Sequence, residues 1–286
     1  MAAPTRGPSR MGRRARNAVR APLESLDDFG EQLSLYGRAI GWIPRTARRY
    51  KKEVARLLAE VSFGSGALIV ILGTAGVMAA LNLFVGSLVG LQGFRALDSL
   101  GTEALTGFIT AYFNTRDIAP LVAAAALTAT VGAGFTAQLG AMRISEEIDA
   151  LEVMAVPSVP FLISTRVIAG FIAIIPMYTI GLLASYVSSR LNVTLINGLP
   201  GGTYDHYFDL FLPASDVLYS YVKVLIFAFV IVLICCHYGY RAKGGPAGVG
   251  IAVGRAVRAC LVTVAVTDFF LTLAIFGTAT SVRVAG

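Results

Sequence analysis

Five stretches of the chain stay apolar long enough to cross a bilayer, near residues 63–91, 119–142, 161–189, 217–238 and 256–278. Each meets the requirement of about 20 residues for a helical span. Five crossings put the two termini on opposite sides. With the N-terminus inside, the inner segments carry Arg143, Arg166, Arg241, Lys243, Arg255 and Arg258 in addition to a basic N-terminal block, whereas the outer segments carry Arg95, Arg116, Arg190 and Arg283. The positive-inside rule therefore predicts N-in, C-out.

Residues 24–43 follow a different pattern. Leu26, Phe29, Leu33, Tyr36, Ile40 and Ile43 recur at spacings of three and four, a narrow stripe on a helix whose other face is polar, and Pro44 is expected to end it. This predicts a helix lying in the interface plane with its apolar side down. A coiled-coil segment would share the spacing, but fewer than three heptads are present. Residues 46–60, rich in Arg and Lys, lead into the first span. Residues 1–23 contain no acid and form a basic, unstructured tail in this reading; they lack the apolar core of a secretory signal, though an organelle transit peptide would look similar. The predicted organisation is thus tail 1–23, interfacial helices 24–60 and a five-span domain 61–286.

The connections carry their own signals. Between the second and third spans, Ser145 is placed to cap a short helix with Glu146 and Glu147 in its first turn, where the helix dipole favours carboxylates, and Pro157 stops it. Ile148, Leu151 and Ala155 share one face. An acidic amphipathic helix on the inner side suits docking to another protein, and a solvated connector would have the same composition. The outer connection 190–216 is Gly/Pro-rich, with a short helix Tyr204–Phe211 that puts Tyr204, Tyr207, Phe208 and Phe211 on one side. The inner connection 239–255 is glycine-rich and is assigned to tight turning; its spacing does not match a nucleotide-binding loop.

Composition supports a membrane protein: 56% of the 286 residues are hydrophobic and 14% charged, against about a quarter charged in soluble domains. Residues 1–60 hold 13 basic and 6 acidic residues, an excess of 7 that accounts for the whole net charge of +7, since 61–286 hold 11 of each. A basic block beside apolar spans fits an anionic lipid surface better than nucleic acid. Cys235, Cys236, Cys260, His206 and His237 have no zinc-site spacing, so no metal site and no disulfide framework is expected. The absence of a G-x-x-x-x-G-K-[ST] loop predicts that this chain does not itself hydrolyse ATP.

Polar groups inside the spans mark the candidate pathway. Asp268 lies mid-way along the fifth span, where a carboxylate must face the bundle or a wet cavity. Lys223 lies toward the outer end of the fourth, at similar depth, and is expected to pair with Asp268 or snorkel to the headgroups. Arg116-Asp117 is expected just outside the second span, before Pro120. Asn82 in the first span could bond across helices or line a pathway, and Pro176 should kink the third. No nucleophile or poised base is evident.

Four motifs then carry a resemblance. Gln138-Leu139-Gly140-Ala141-Met142-Arg143 followed by Glu146-Glu147-Ile148-Asp149-Ala150-Leu151-Glu152-Val153-Met154 resembles E-L-G-x-M-R…E-[EQ]-I-D-A-L-x-V-M of the MlaE/YrbE permease subunits of Mce-type lipid ABC transporters. Arg116-Asp117-Ile118-Ala119-Pro120 is similar to that family's R-E-L-G-P, Gly244–Gly250 to its G-G-A-x-G-V-G, and Asp268-Phe269-Phe270-Leu271-Thr272 to its D-[FY]-x-L-T. The resemblance covers about residues 25–280. Gln138 stands for the usual Glu, Asp117 for Glu, Thr130 for an expected Arg and Thr165 for Pro, departures that resemble an actinobacterial YrbE pairing with a second, non-identical YrbE.

The resemblance implies an all-α, MlaE-like bacterial inner-membrane permease, paired with a second permease and driven by a dimer of cytoplasmic ABC ATPases that hold ATP and Mg, with no cofactor on this chain. The helix at 145–155 would be the coupling helix, carrying Glu146, Glu147, Asp149, Leu151 and Glu152. Extracytoplasmic Mce proteins would cover the outer face. Lipid, of the fatty acid, mycolic acid or sterol class and moved inward, would occupy a pocket near Asn82, Arg116, Asp117, Lys223 and Asp268. A non-transporting scaffold for the same partners, or a carrier protonated at Asp268, would be the alternatives.

Overall fold

The computed structural model describes residues 10–63 and 73–277, with side chains described over 30–61 and 73–277. Helix α1 (Arg10–Arg49) takes in most of the stretch read from composition as an unstructured tail, and residues 1–9 lie outside the described part. It also runs through Pro44 without a break. Pro44 is exposed, so the carbonyl it leaves without a helical donor can be met by water. The predicted stripe divides: Tyr36 and Ile43 pack on the core beside buried Leu35 and Ala39, while Leu33 and Ile40 are exposed. The side chains of Leu26 and Phe29 are outside the described set. α1 is fixed across the start of the third span, where the Ser164 hydroxyl donates to the Ala39 carbonyl at 2.8 Å. α2 (Lys51–Phe63) follows at once and packs on the third span.

Among the described residues, five helical segments are long and apolar enough to cross a membrane. The first is α3 (Thr74–Asp98); the beginning of the predicted 63–91 stretch falls mostly on undescribed residues. The second is a continuous rod, Glu103–Ile144, comprising α4 (Thr106–Phe113), α5 (Ala119–Leu127) and α6 (Ala133–Ile144) joined by π-helical turns at Asn114–Ile118 and Thr128–Gly132. The short α7 (Glu147–Val153) lies between the second and third spans. The third span is α8 (Thr165–Leu191) with a π turn at each end, Pro160–Ser164 and Asn192–Ile196. After α9 (Gly201–Leu210), α10 (Ala214–Tyr240) and α11 (Gly245–Phe276) complete the bundle.

Small residues decide which helices touch, because between helices in lipid there is no hydrophobic drive and close packing and hydrogen bonds must serve. A Cβ on Gly86 would sit 2.5 Å from the Ser185 carbonyl oxygen, so α3 and α8 meet backbone to backbone. The Ser189 hydroxyl donates to the Gly86 carbonyl at 2.6 Å, and Asn114 donates to the Ser189 hydroxyl at 2.9 Å, tying in the second span. That second span is the most enclosed, 56% of its most apolar window being buried against 11% for α11. Its Ala119, Ala123, Leu127, Phe135 and Leu139 form one core with Ile163, Val167, Ile174, Phe227 and Ile231.

The inner hairpin is tighter than the glycine content predicts. Of residues 239–255, only the stretch around Arg241–Gly244 is non-helical. Gly244 takes φ +90°, which a side chain would resist, and Pro246 falls in the first turn of α11, where its missing N–H costs nothing.

Candidate functional site

Two sites stand at opposite ends of the bundle. At the outer end, Lys223 of α10 is fully buried. Its ammonium lies 2.7 Å from Asp268 of α11 and 3.1 Å from Asp117 of the second span. It also donates to the Thr272 hydroxyl at 2.9 Å and to the Arg116 carbonyl at 2.6 Å. The last contact has a local cause. The ring nitrogen of Pro120 has no hydrogen to give the carbonyl four residues back, which is that of Arg116, and Lys223 supplies a donor to that oxygen. The Thr272 hydroxyl then donates to Asp117 at 2.9 Å, closing the ring.

Arg116 points the other way. Its guanidinium reaches Asp216, in the first turn of α10, at 2.6 Å, and lies over the rings of Tyr112 at 4.1 Å and Phe276 at 4.4 Å. The sequence places Arg116-Asp117 just outside the span; the structure corrects this, setting both residues in the π turn Asn114–Ile118, within the helical rod. The cluster joins two cations to three carboxylates, and Asp117 and Asp268 keep 35% and 16% of their side chains exposed at its rim. Four of the five predicted pathway residues are thus together. Asn82 is not: it is buried between α3 and α8, donating to the Met78 carbonyl at 3.0 Å, against Gly181. Asp216 and Thr272 join the site unforeseen. Asp216 carried a usable signal, an acid in the first helical turn after Pro213; Thr272 stood inside a recognised motif.

Behind the cluster, α9 braces the outer side. Tyr204 and Phe208 stack at a centroid distance of 5.8 Å, and the Tyr204 hydroxyl is 2.7 Å from Thr110. Burial pushes the Tyr204 phenol up to about 12, so it stays neutral. Arg190 donates twice to Asp205, at 2.7 Å each, and those bonds hold the Asp205 carboxyl below its ordinary range.

The inner site is α7. It differs from expectation at its start: Ser145 closes α6, donating to Ala141 at 3.0 Å, and Glu146 turns the chain at φ +60°. Ile148 is buried and Leu151 half-buried, fixing the helix to the bundle. Ala155 is exposed and does not share that face; it follows the helix at φ +57°. Glu146, Glu147 and Asp149 are exposed, Asp149 pairing with Arg143 at 2.7 Å, and Glu152 accepts from Ser158 at 2.7 Å. Val153 and Met154, 89% and 63% exposed, form an apolar tip beside these acids. Nearby, Gln138 donates to Glu60 at 2.5 Å and accepts from Arg166 at 3.3 Å, so its neutral amide links α2, α6 and α8.

Among the described residues no three His, Cys, Asp or Glu side chains are placed to hold a metal ion. Cys235 and Cys260 approach to 3.5 Å within the core, far from either site along the helices. A bundle of five spans, with charges caged at one end and an acidic elbow at the other, defines a multi-pass helical membrane protein. The family model described as Permease MlaE matches residues 63–274, and the chain belongs to that family. It is 27% identical over 196 residues to a "Probable ABC transporter permease protein" of Rickettsia bellii, covering 68% of this chain and 76% of that one. It is 28% identical over 200 residues to the "Protein TRIGALACTOSYLDIACYLGLYCEROL 1, chloroplastic" of Arabidopsis thaliana, covering 68% and 56%. A "Probable ABC transporter permease protein" of Synechocystis is 26% identical, covering 68% and 73%.

Proposed function

We propose that the chain is the membrane subunit of an ATP-driven lipid transporter of the bacterial inner membrane, working with a second, non-identical permease, a pair of cytoplasmic ABC ATPases carrying ATP and Mg, and extracytoplasmic Mce proteins, and moving hydrophobic lipid inward. The observation that carries this is the shape of α7: an acidic helix anchored by Ile148 that presents Glu146, Glu147, Val153 and Met154 outward on the basic, inner side of the bundle. A helix held rigidly to the spans on one face and free on the other transmits a partner's motion to them. Relatives named as ABC transporter permeases support the ATPase partner, and the plant relative named for trigalactosyldiacylglycerol, a glycolipid, supports lipid as cargo. The family resemblance supports the Mce partner, and the Gln138, Asp117, Thr130 and Thr165 departures support an actinobacterial YrbE-type heterodimer. Lipid would sit over the rim formed by Asp117 and Asp268, and ATPase closure would alter the bundle's affinity for it, with no chemistry on the lipid itself.

The test replaces the exposed tip and acids that make no contact with the core. Glu146→Lys with Met154→Asp should leave the protein folded in the membrane, abolish co-purification of the ATPase and stop lipid uptake. ATPase retained with uptake intact would remove α7 from the coupling role.

A further inference from the structure

Where α10 ends and α11 begins, a cavity of about 450 Å³ opens on the inner side of the bundle, lined among others by Gln32 of α1, Arg241, Lys243, Ile251 and Arg255. Three cations share it with one carboxylate partner among the described residues, Glu31, which lies 2.7 Å from Arg241. Lys243 and Arg255 are exposed and form no salt bridge among the described residues. Among the described residues, Lys243 and Arg255 therefore give the cavity an excess of positive charge.

Its depth is set by helix length. The 32 residues of α11 make about 48 Å of helix at 1.5 Å per residue, against about 30 Å of hydrocarbon. After Arg258 the only charged residue in α11 is Asp268. Its apolar body therefore begins there, and the turns holding Ile251 and Arg255 lie at the inner headgroup layer. Helical spacing puts Ile251, Arg255 and Val262 on one face. Val262 and, one turn further, Val266, both more than half exposed, continue that face from Arg255 toward the membrane centre. Cations at headgroup depth above an exposed apolar track are the arrangement that takes a phosphate together with its acyl chains.

We propose that this cavity binds the phosphate headgroup of an anionic phospholipid from the inner leaflet, held by Lys243 and Arg255 with Arg241 behind them, as a resident lipid distinct from any cargo at the outer end. An acidic protein segment could satisfy the same charges, but it would have no use for the apolar face running below them.

The full-length chain is reconstituted in phosphatidylcholine nanodiscs containing a minor fraction of phosphatidylglycerol, and retained lipid is counted by native mass spectrometry. The wild type should retain one phosphatidylglycerol per chain that Lys243→Gln/Arg255→Gln lacks. The variant should bind it roughly 25- to 30-fold more weakly, since each such cation near an anionic surface contributes about fivefold. The charge-keeping Lys243→Arg/Arg255→Lys variant should retain it, and an unchanged elution profile shows that both variants fold. Equal retention by the glutamine variant overturns the site. So does thermal stabilisation of the wild type by inorganic phosphate with none by phosphatidylglycerol, which would mean a free anion. Loss of ATPase binding with lipid retention unchanged would assign the cations to the protein partner, and would also overturn it.

Discussion

Lys223 is the residue on which the outer cluster depends. It is fully buried, and three ammonium hydrogens serve four acceptors, two of them carboxylates. Lys223→Met would strand Asp117 and Asp268 in a low-dielectric place at once, a loss of about 3–5 kcal/mol for a broken buried pair. Thermal denaturation in detergent should show it as a large fall in midpoint. Asp268→Asn should cost less, because Asp117 remains to pair the lysine. The exchange Lys223→Asp with Asp268→Lys should recover part of the loss, since one cation would again face two carboxylates. Absence of any recovery would show that the backbone contact with Arg116, and not charge pairing, fixes the lysine. The Lys223–Asp268 pair was legible from depth alone, as both charges fall in the outer halves of adjacent antiparallel spans. The Arg116–Asp216 pair was not, because the apolar pattern starts the second span at Ala119 and the fourth at Val217, three residues past Arg116 and one past Asp216. Hydropathy marks where lipid can be faced, and buried charged helix lies beyond its reach.

Elements were legible where apolar runs were uninterrupted and less so where polar residues belong to helices. All five spans stand in the predicted order, but the inner 239–255 stretch is mostly helix: Gly239, at the end of α10, packs against Thr136 of α6, and Pro246 starts α11 so early that Gly248, Gly250 and Gly254, which read as a loop, lie within it. The π turns had no sequence signal beyond the nearby Pro120 and Pro160. α9 was legible from its aromatic spacing, and it makes an element-scale prediction. Two hydrogen bonds from Arg190 depress the Asp205 carboxyl. A carboxylate whose folded value is lowered stabilises above its unfolded value, about 3.9, and loses that stabilisation as pH falls through the folded value. Hydrogen exchange over Gly201–Leu210, corrected for intrinsic rates, should therefore keep its protection from neutral pH down to about 4 and lose part of it below. Asp205→Asn should show the lower protection at every pH, without the step. The pair is about half exposed, so the effect is local and the bundle should remain folded throughout.

At the scale of the whole molecule, burial is uneven in a way that predicts a neighbour. α11 leaves Val262, Val266, Phe269, Phe270 and Leu273 exposed along its outer two-thirds. Apolar exposure alone is what lipid permits. The carboxylates are different: the rim at Asp117 and Asp268 opens beside these residues, and partly exposed carboxylates facing hydrocarbon would be costly. That face must therefore be covered by protein or by a wet pocket between proteins, and a second permease seated there would cover it. The opposite surface of the bundle, with Ile172, Ile180 and Leu183 of α8 exposed and no rim of charge among them, can face lipid without penalty. The three native cysteines are buried, so single engineered thiols report cleanly. In native membranes holding the whole complex, Phe269→Cys should cross-link through a short bifunctional thiol reagent to a cysteine placed at the aligned position of the second permease. Leu183→Cys should yield no dimer with the same partner. Cross-linking of Phe269→Cys to another copy of this chain would make the pair a homodimer, while dimers formed only through Leu183→Cys would put the partner on the α8 side and leave the carboxylate rim needing some other cover.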